Sequence, residues 1–412
     1  MTRAPRLLSI NNYHYRRGGA EVVFLEHNRL FAESGWEVIP FAMRHPSNLP
    51  AASDRHFVEE IELGRSYGLA DKLVRAARVV YSREAQGKIA ALIKETRPQI
   101  AHAHNVYHHI SPSIFPVLRQ AGIPVVMTVH DLKLACPAYT MHVGGAVCER
   151  CRGGRIHNVL LNRCIKGSAA LSGLVMVETA VHRALGLYRS NVARFVVPSC
   201  FVIDKLVAWG WERDRFVHIP NFVETAQFDP RGAPGRGFLY FGRLSPEKGL
   251  DTLIRAAALA RRPVTIVGAG SERESLERLA ADLGADATFL GHRTGEALHD
   301  AIRACRAVVL PSTWYENAPM SVLEAYALCR PVIGSAIGGI PELIRENETG
   351  ATVPPGDVEA LAAALERFAG LGSDRIAAMG AAGRAMVEQN FSRTLYRDRM
   401  LDLYASLQRD AA

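Results

Sequence analysis

Short, mostly apolar, strand-like runs alternate with longer helical stretches along the whole chain, and this alternation restricts the fold more than any other feature. In the first half the runs are Leu7–Ile10, Glu37–Phe41, Ile100–His104, Pro124–Thr128 and Phe195–Pro198. In the second they are Phe238–Phe241, Val264–Val267, Thr288–Leu290, Ala307–Leu310 and Pro331–Ile333. Helical patterns fit between most of them, for example Ala20–Ser34, Leu250–Ala260, Glu272–Leu283 and Asp357–Phe368. Apolar strands separated by helices belong to parallel sheets covered on both faces. Two such series predict two doubly wound, Rossmann-like α/β domains, and 412 residues exceed one ordinary core. The stretch Asn221–Arg236 is rich in Gly and Pro and has no period, so it reads as a linker. The expected division is 1–222, a linker over 223–236, a second domain over 237–390 and a tail over 391–412.

A hydrophobic content of 48% with 22% charged residues describes a globular chain and excludes a disordered one. No run approaches the ~18 apolar residues of a membrane span, and MTRAPRLLSI has no signal core, so a cytoplasmic location is expected. The net charge of +8 is uneven: residues 1–225 hold 28 Lys+Arg against 18 Asp+Glu (+10), and residues 226–412 hold 21 against 23 (−2). A basic first half suits an anionic partner such as a pyrophosphate, a phospholipid surface or a nucleic acid, or is simply a solvated Arg-rich surface.

In open parallel sheets ligands sit beyond the carboxyl ends of the strands, so the residues just after each strand matter most. After the first strand, Gly18-Gly19 precedes a helix with Glu21 in its first turn, either a plain βα turn or a close backbone approach to a ligand. After Pro124–Thr128 comes His130-Asp131, either a structural turn histidine or a His that the Asp orients and tunes. After Phe238–Phe241, Arg243 and Lys248 flank a Ser-Pro-Glu turn that opens a helix; two cations beside helix N–H groups suit a diphosphate clamp, the alternative being a solvated charged loop. Gly268-x-Gly270 follows Val264–Val267 without the third glycine of a dinucleotide fingerprint, which leaves backbone contact with a nucleotide.

The stretch WYENAPMSVLEAYALCRPVIGS carries two carboxylates, Glu316 and Glu324, eight positions apart. Pro319 suits the first turn of a helix that runs to about Leu328. Eight residues rise at most ~12 Å in a helix, about the reach from the sugar to the ribose of a nucleotide-sugar. Carboxylates accept paired hydrogen bonds from vicinal hydroxyls, so the pattern suits a ligand with a polyol at each end and an anionic middle. Gly338-Gly339 gives backbone access at the next strand end.

At these residues the chain resembles the family-4 glycosyltransferases of GT-B fold, retaining and nucleotide-sugar dependent, of the type that builds bacterial polysaccharides and glycolipids. The resemblance spans nearly the whole chain and rests on GGAE (Gly18–Glu21), HD (His130-Asp131), GRLSPEKG (Gly242–Gly249), VGAG (Val267–Gly270), YENAPMSVLEA (Tyr315–Ala325) and GGIPE (Gly338–Glu342). It implies two domains facing a cleft and a C-terminal helix, 391–412, crossing back to the first domain. By resemblance Arg243 and Lys248 hold the donor diphosphate, with backbone from Gly18, Gly19, Gly268 and Gly270 nearby. Glu324 binds the ribose. Glu316 and the Asn317, Ala318, Pro319 and Met320 backbone hold the transferred sugar, and His130 faces sugar and acceptor. The implied reaction moves a hexose from a nucleotide-diphosphate donor to a glycan or polyprenyl-linked glycan in cell-surface polysaccharide synthesis. No Asp-x-Asp metal motif is present, so clamp cations rather than a catalytic metal are expected to neutralise the leaving group.

The departure from a minimal member is a Cys-rich insert over 136–164. Cys136, Cys148, Cys151 and Cys164 are spaced C-x11-C-x2-C-x12-C, with His142 and His157 as substitutes. Zinc, reduced thiols and disulfides are the states open to it; a C-x2-C knuckle with two distant cysteines in a cytosolic chain points to structural zinc. Cys200, Cys305 and Cys329 read as core thiols. His104, Asn105, His108 and Asp131 are expected on the acceptor side. The basic amphipathic stretch Asp71–Lys94 is either a peripheral contact with the inner face of a membrane or an ordinary helix pair packed through Leu73, Val74, Ala77 and Val80. The alternatives to a transferase are a non-hydrolysing sugar-nucleotide epimerase of the same fold and a zinc-containing binding module. No aromatic–basic interleaving for nucleic acid is present.

Overall fold

A computed structural model describes residues 4–61 and 69–411, with the side chains of 69–73 and 410–411 outside the description. Two six-stranded sheets, parallel throughout, carry the chain. In the first, β1 (Arg6–Ile10), β2 (Glu37–Phe41), β3 (Ile100–Ala103), β4 (Val125–Thr128), β7 (Arg194–Val197) and β8 (Phe216–His218) lie in the order β2-β1-β3-β4-β7-β8. Between β4 and β7 the insert adds a two-stranded hairpin of β5 (His142–Val143) and β6 (Ala146–Val147). In the second sheet, β9 (Phe238–Phe241), β10 (Val264–Val267), β11 (Ala287–Gly291), β12 (Ala307–Leu310), β13 (Val332–Ser335) and β14 (Gly350–Val353) lie in the order β11-β10-β9-β12-β13-β14. The central strands are buried on both faces, as helices on both sides of a parallel sheet require.

All ten expected strands form, within one or two residues of their expected ends. β8 and β14 were not anticipated. Each is a short outermost strand, one ending in a polar His and the other opening on Gly350, so neither shows an apolar run.

Strand order reverses at one place in each sheet. In the first it lies between β1 and β3, whose following loops are stitched together: the amide of His104 donates to the Ile10 carbonyl, that of Asn12 to Asn105, and that of Asn105 to the Asn11 side chain. In the second it lies between β9 and β12. Such switch points open a crevice at the carboxyl ends of the strands.

The last helix, Arg393–Ala411, packs on the first sheet. Tyr396, Met400, Leu403, Tyr404 and Leu407 share a core with Leu7, Phe31, Ile100 and Val196, as expected of a tail that crosses back. The Asp71–Lys94 stretch is not one amphipathic helix. It breaks at Tyr81 into Leu69–Val80 and Arg83–Thr96. The second of these buries Ala85, Ile89 and Leu92, and its Lys88 is spent on Glu84 and the Phe57 carbonyl. In the first, Val79 is buried while Val74 is 60% exposed and Ala77 faces outward, so the expected packing stripe fails at these two positions; the side chain of Leu73 lies outside the described residues. Cys200 is also corrected: it is exposed at the start of a helix, whereas Cys305 is buried. Among the described residues no helix is long and apolar enough to cross a membrane.

Candidate active site

The second switch point brings together the two groups that matter most. Lys248 lies in the loop after β9 and Glu316 in the loop after β12; Lys248 Nζ lies 2.6 Å from Glu316 Oε1, and Ser312 Oγ donates to the same oxygen at 2.7 Å. Both side chains are largely buried, 15% and 9% exposed. Burial pushes the Glu316 carboxyl up, but the Lys248 ammonium and the hydrogen bonds to it outweigh burial and hold it below the ordinary carboxylate value. Gly249 makes the approach feasible. It sits at φ +66°, and a Cβ there would lie 2.1 Å from the Pro311 carbonyl oxygen.

Glu324 lies in the helix Met320–Ala327, whose first helical residue is Met320, with Pro319 as the cap rather than in the first turn. The Glu324 carboxyl is half-buried, and burial pushes it up to about 7; the Arg16 guanidinium of the first domain pulls the other way. Arg243 is exposed and forms no ion pair or side-chain hydrogen bond among the described residues. Its charge is felt at Glu21 and Tyr139 across the cleft. The clamp as expected is therefore divided: Arg243 stands free and Lys248 is paired with a carboxylate.

The glycines separate by reason. A Cβ on Gly268 would lie 1.8 Å from the Gly242 carbonyl oxygen, and one on Gly270 2.0 Å from that of Leu244. These two are glycine because two strand-end loops pack backbone to backbone, whatever binds nearby. Gly338, at φ +62°, likewise admits the backbone of Glu316, and Gly339 that of Asn317. Gly18 and Gly19 differ. Gly18 caps the helix Gly19–Glu33 with extended backbone, and a Cβ on Gly19 would meet nothing within 4 Å, so the space before that helix is open.

On the first domain, His130 is oriented by His104 and not by its neighbour Asp131. His104 Nδ1 and His130 Nε2 are 2.8 Å apart and the rings stack. Burial pushes His130 down to about 4, so the ring is neutral at ordinary pH. Asp131 instead accepts from the Tyr107 hydroxyl and the Lys133 amide. His104 is fully buried beneath His130 and stacks on His102, so it supports the site and does not line an acceptor surface. His108 turns to Glu178, 3.0 Å away, which also pairs with the buried Lys133 at 2.8 Å. Asn105 accepts from the Tyr107 hydroxyl at 3.0 Å. Of the four expected acceptor-side residues, Asn105, His108 and Asp131 are partly exposed.

Sequence reasoning missed the side chain of Asn317. Its amide nitrogen donates to the Val129 carbonyl at 2.7 Å, one residue before His130, and its oxygen meets Ser199 Oγ at 2.9 Å. Glu342 similarly accepts from the Cys200 and Phe201 amides of the first domain. Both are read in sequence as parts of loop motifs; their cross-domain use has no local signal. Glu178 and Lys133 were missed because they pair within the first domain across 45 positions of chain, which no local pattern records.

Cys136, Cys148, Cys151 and Cys164 line one small cavity together with His142. Burial, then the neighbouring cysteines, push the Cys151 thiol up to about 12 and the Cys164 thiol up to about 11. His27, His102 and His104 also place three nitrogens within 4.8 Å of one another, as do Cys200, His218 and Glu342 their ligand atoms. The first set is engaged with Tyr396, Tyr404, Thr128 and His130, and in the second Glu342 caps a helix.

Residues 17–227 match the family model described as Glycosyltransferase Family 4, and residues 229–386 the one described as Glycosyl transferases group 1. The chain is 32% identical over 218 residues to a GDP-mannose-dependent monoacylated alpha-(1-6)-phosphatidylinositol monomannoside mannosyltransferase of Corynebacterium glutamicum, covering 46% of this chain and 56% of the relative. That match spans about half of the relative's length. It is 29% identical over 286 residues to a GDP-mannose-dependent alpha-mannosyltransferase of Mycobacterium tuberculosis, covering 64% and 73% of the two chains. A sucrose-phosphate synthase from Thermosynechococcus elongatus superposes with a TM-score of 0.71 at 22% identity, covering 98% of this chain and 99% of that one. The likeness shows the fold: two Rossmann-like domains facing each other, the GT-B arrangement.

Proposed function

The chain belongs to glycosyltransferase family 4, and on that premise we propose that it is a retaining hexosyltransferase. In this reading it moves a sugar from a nucleotide-diphosphate donor to a glycan or lipid-linked glycan acceptor in cell-surface polysaccharide synthesis. The observation that carries the reading is the buried Lys248–Glu316 pair at the switch point of the second sheet. It sets a cation and a hydroxyl-binding carboxylate side by side, as a diphosphate-linked sugar requires.

In this reading the donor diphosphate lies between Arg243, Lys248 and the amides that open the helix Met320–Ala327. Its arrival exchanges part of the Lys248–Glu316 attraction for Lys248–phosphate contacts and frees a Glu316 oxygen for a sugar hydroxyl. The ribose reaches Glu324. The diphosphate leaves with its charge stabilised by fixed cations and amides, and the acceptor hydroxyl attacks on the face it vacates, passing its proton to a donor phosphate oxygen. His130, neutral through burial, hydrogen-bonds the sugar without titrating near neutrality. The first domain is read as the acceptor side and the second as the donor side.

The relatives named above make GDP-mannose the first donor to test. Exposed Val74, Val177 and Leu161, on helices that neighbour one another in the basic first domain, support a peripheral approach to a lipid-linked acceptor at the inner face of a membrane. A thermal-shift screen with GDP-, UDP- and ADP-sugars tests the donor, since a ligand at 100 Kd adds ~2.7 kcal/mol of stability. Product analysis with the selected donor then reads the anomer. No stabilisation by any nucleotide-sugar would sink the proposal, and interconversion of the free donor without acceptor would replace it with an epimerase.

A further inference from the structure

The insert that follows Asp131 has almost no core of its own. Between Cys136 and Cys164 the buried apolar residues are Cys136, Pro137, Ala138, Met141, Cys151 and Val159, and two of these six are cysteines. Its regular structure is a hairpin of two-residue strands, a short turn at Arg152–Gly154 and a single helical turn, Asn158–Leu161. Such a segment holds its shape only with a cross-link.

All four cysteines face one cavity of about 10 Å³, space for a single small occupant. His142 lines the same cavity, and its Nε2 is buried without a partner. No three of these ligand atoms yet lie within 4.8 Å of one another, so an ion with ~2.3 Å bonds to sulfur would draw them inward. Four thiols with no carboxylate among them select a soft, tetrahedral ion over calcium or magnesium.

The knuckle between Cys148 and Cys151 carries Glu149. Glu149 Oε1 accepts from Lys205 Nζ at 2.6 Å and from the Tyr315 hydroxyl at 3.0 Å, while Lys205 Nζ lies 4.6 Å from the Tyr315 ring centre. One carboxylate thus ties the insert to a helix of its own domain and to a loop of the second domain. Tyr315 immediately precedes Glu316.

We propose that Cys136, Cys148, Cys151 and Cys164 bind one zinc ion, and that the ion fixes the knuckle so that Glu149 straps the insert to Tyr315 beside the donor site. The four thiols release their protons to solvent on binding, the site closes with four sulfurs, and no open position remains for chemistry. Glu149 is a positioning residue that acts through Tyr315. The proposal goes beyond the transferase reading, and its readouts need no glycosyl transfer.

Elemental analysis of protein purified without added metal should give one zinc per chain, released when an organomercurial titrates the thiols. Stripping wild-type protein with a chelator should speed amide exchange both in the insert and over residues 313–317. Glu149→Gln keeps every thiol; it should retain the zinc and speed exchange over 313–317 about tenfold, leaving the insert protected. A folded chain with four alkylatable thiols and no zinc, or with iron in its place, would overturn the ion. Unchanged exchange over 313–317 in both the stripped protein and Glu149→Gln would overturn the strap.

Discussion

Lys248 and Glu316, 68 positions apart in the chain, form a buried ion pair 2.6 Å long across the crevice where the second sheet reverses its strand order. Neither can be changed without exposing the other's charge. Lys248→Ala should weaken nucleoside diphosphate binding by ~1.5–3 kcal/mol, the worth of a charge-assisted contact. It should also destabilise the fold by ~3–5 kcal/mol, because Glu316 is left buried and unpaired. Adding Glu316→Gln should restore most of the stability and none of the affinity. Calorimetry and urea unfolding on the two variants read these separately; unchanged affinity in a folded Lys248→Ala protein removes the clamp.

Glu324 should make donor binding depend on pH. Its carboxyl titrates near 7 in the free protein, and only the carboxylate accepts two ribose hydroxyls. Affinity for nucleoside diphosphate should rise roughly tenfold from pH 6 to 8 and become flat in Glu324→Gln. The stability effect has the opposite sense. The folded value lies above the ordinary carboxyl value of 4.5, so the native chain holds the proton longer and loses stability as pH rises from 4.5 to 7. Glu324→Gln should therefore be more stable than wild type at pH 8, by up to ~3 kcal/mol, and similar to it near pH 4.5. An affinity that stays constant from pH 6 to 8 in wild type would detach the ribose from Glu324.

Acid should unfold the first domain before the second. Burial lowers His14, His27, His102, His104, His109, His130 and His182, all of them in the first domain. Each binds its proton more readily unfolded, so each contributes stability that is present above 6.5 and lost as pH falls through its folded value, about 4 for His109 and His130 and about 3 for His27. Seven such groups outweigh the raised carboxyls of Glu21 and Asp131 in the same domain, which move the other way, as Glu324 does in the second. Urea midpoints should fall steeply between pH 6.5 and 5. Turnover measured over the same range should show no titration of His130. A histidine resonance of His130 titrating near 6.5 would contradict its burial.

Gly249→Ala should damage the site through the backbone alone. The residue needs a left-handed conformation, at ~1–2 kcal/mol for alanine, and its Cβ would strike the Pro311 carbonyl, adding ~1–3 kcal/mol of overpacking. Gly19→Ala meets no atom within 4 Å and should leave stability within ~0.5 kcal/mol while lowering donor affinity. Equal stability losses in the two variants, by thermal or urea unfolding, would contradict the steric difference, and unchanged donor affinity in Gly19→Ala would mean that the open space before Gly19 is not a ligand's.

The sequence by itself determined the two parallel sheets, because β-rich apolar runs between amphipathic stretches have few other ways to bury both faces. Strand ends from Leu7–Ile10 to Ala307–Leu310 were legible in it, and so was the gathering of four cysteines into one place. The edge strands Phe216–His218 and Gly350–Val353 were not, since an edge strand needs no apolar run. What only the tertiary structure decided are pairings between residues distant in the chain. Lys248 meets Glu316 because strand order reverses between β9 and β12. His130 answers to His104 and not to the adjacent Asp131, because both histidines follow the ends of the paired neighbouring strands β3 and β4, while Asp131 is taken by Tyr107 and the Lys133 amide. Gly268 and Gly270 also admit the backbone of a neighbouring strand-end loop. Asn317 reaches Val129, and Glu149 reaches Tyr315, only because two domains face each other. Local pattern records which face of an element is buried; it holds no term for which distant carbonyl or carboxylate will be waiting there.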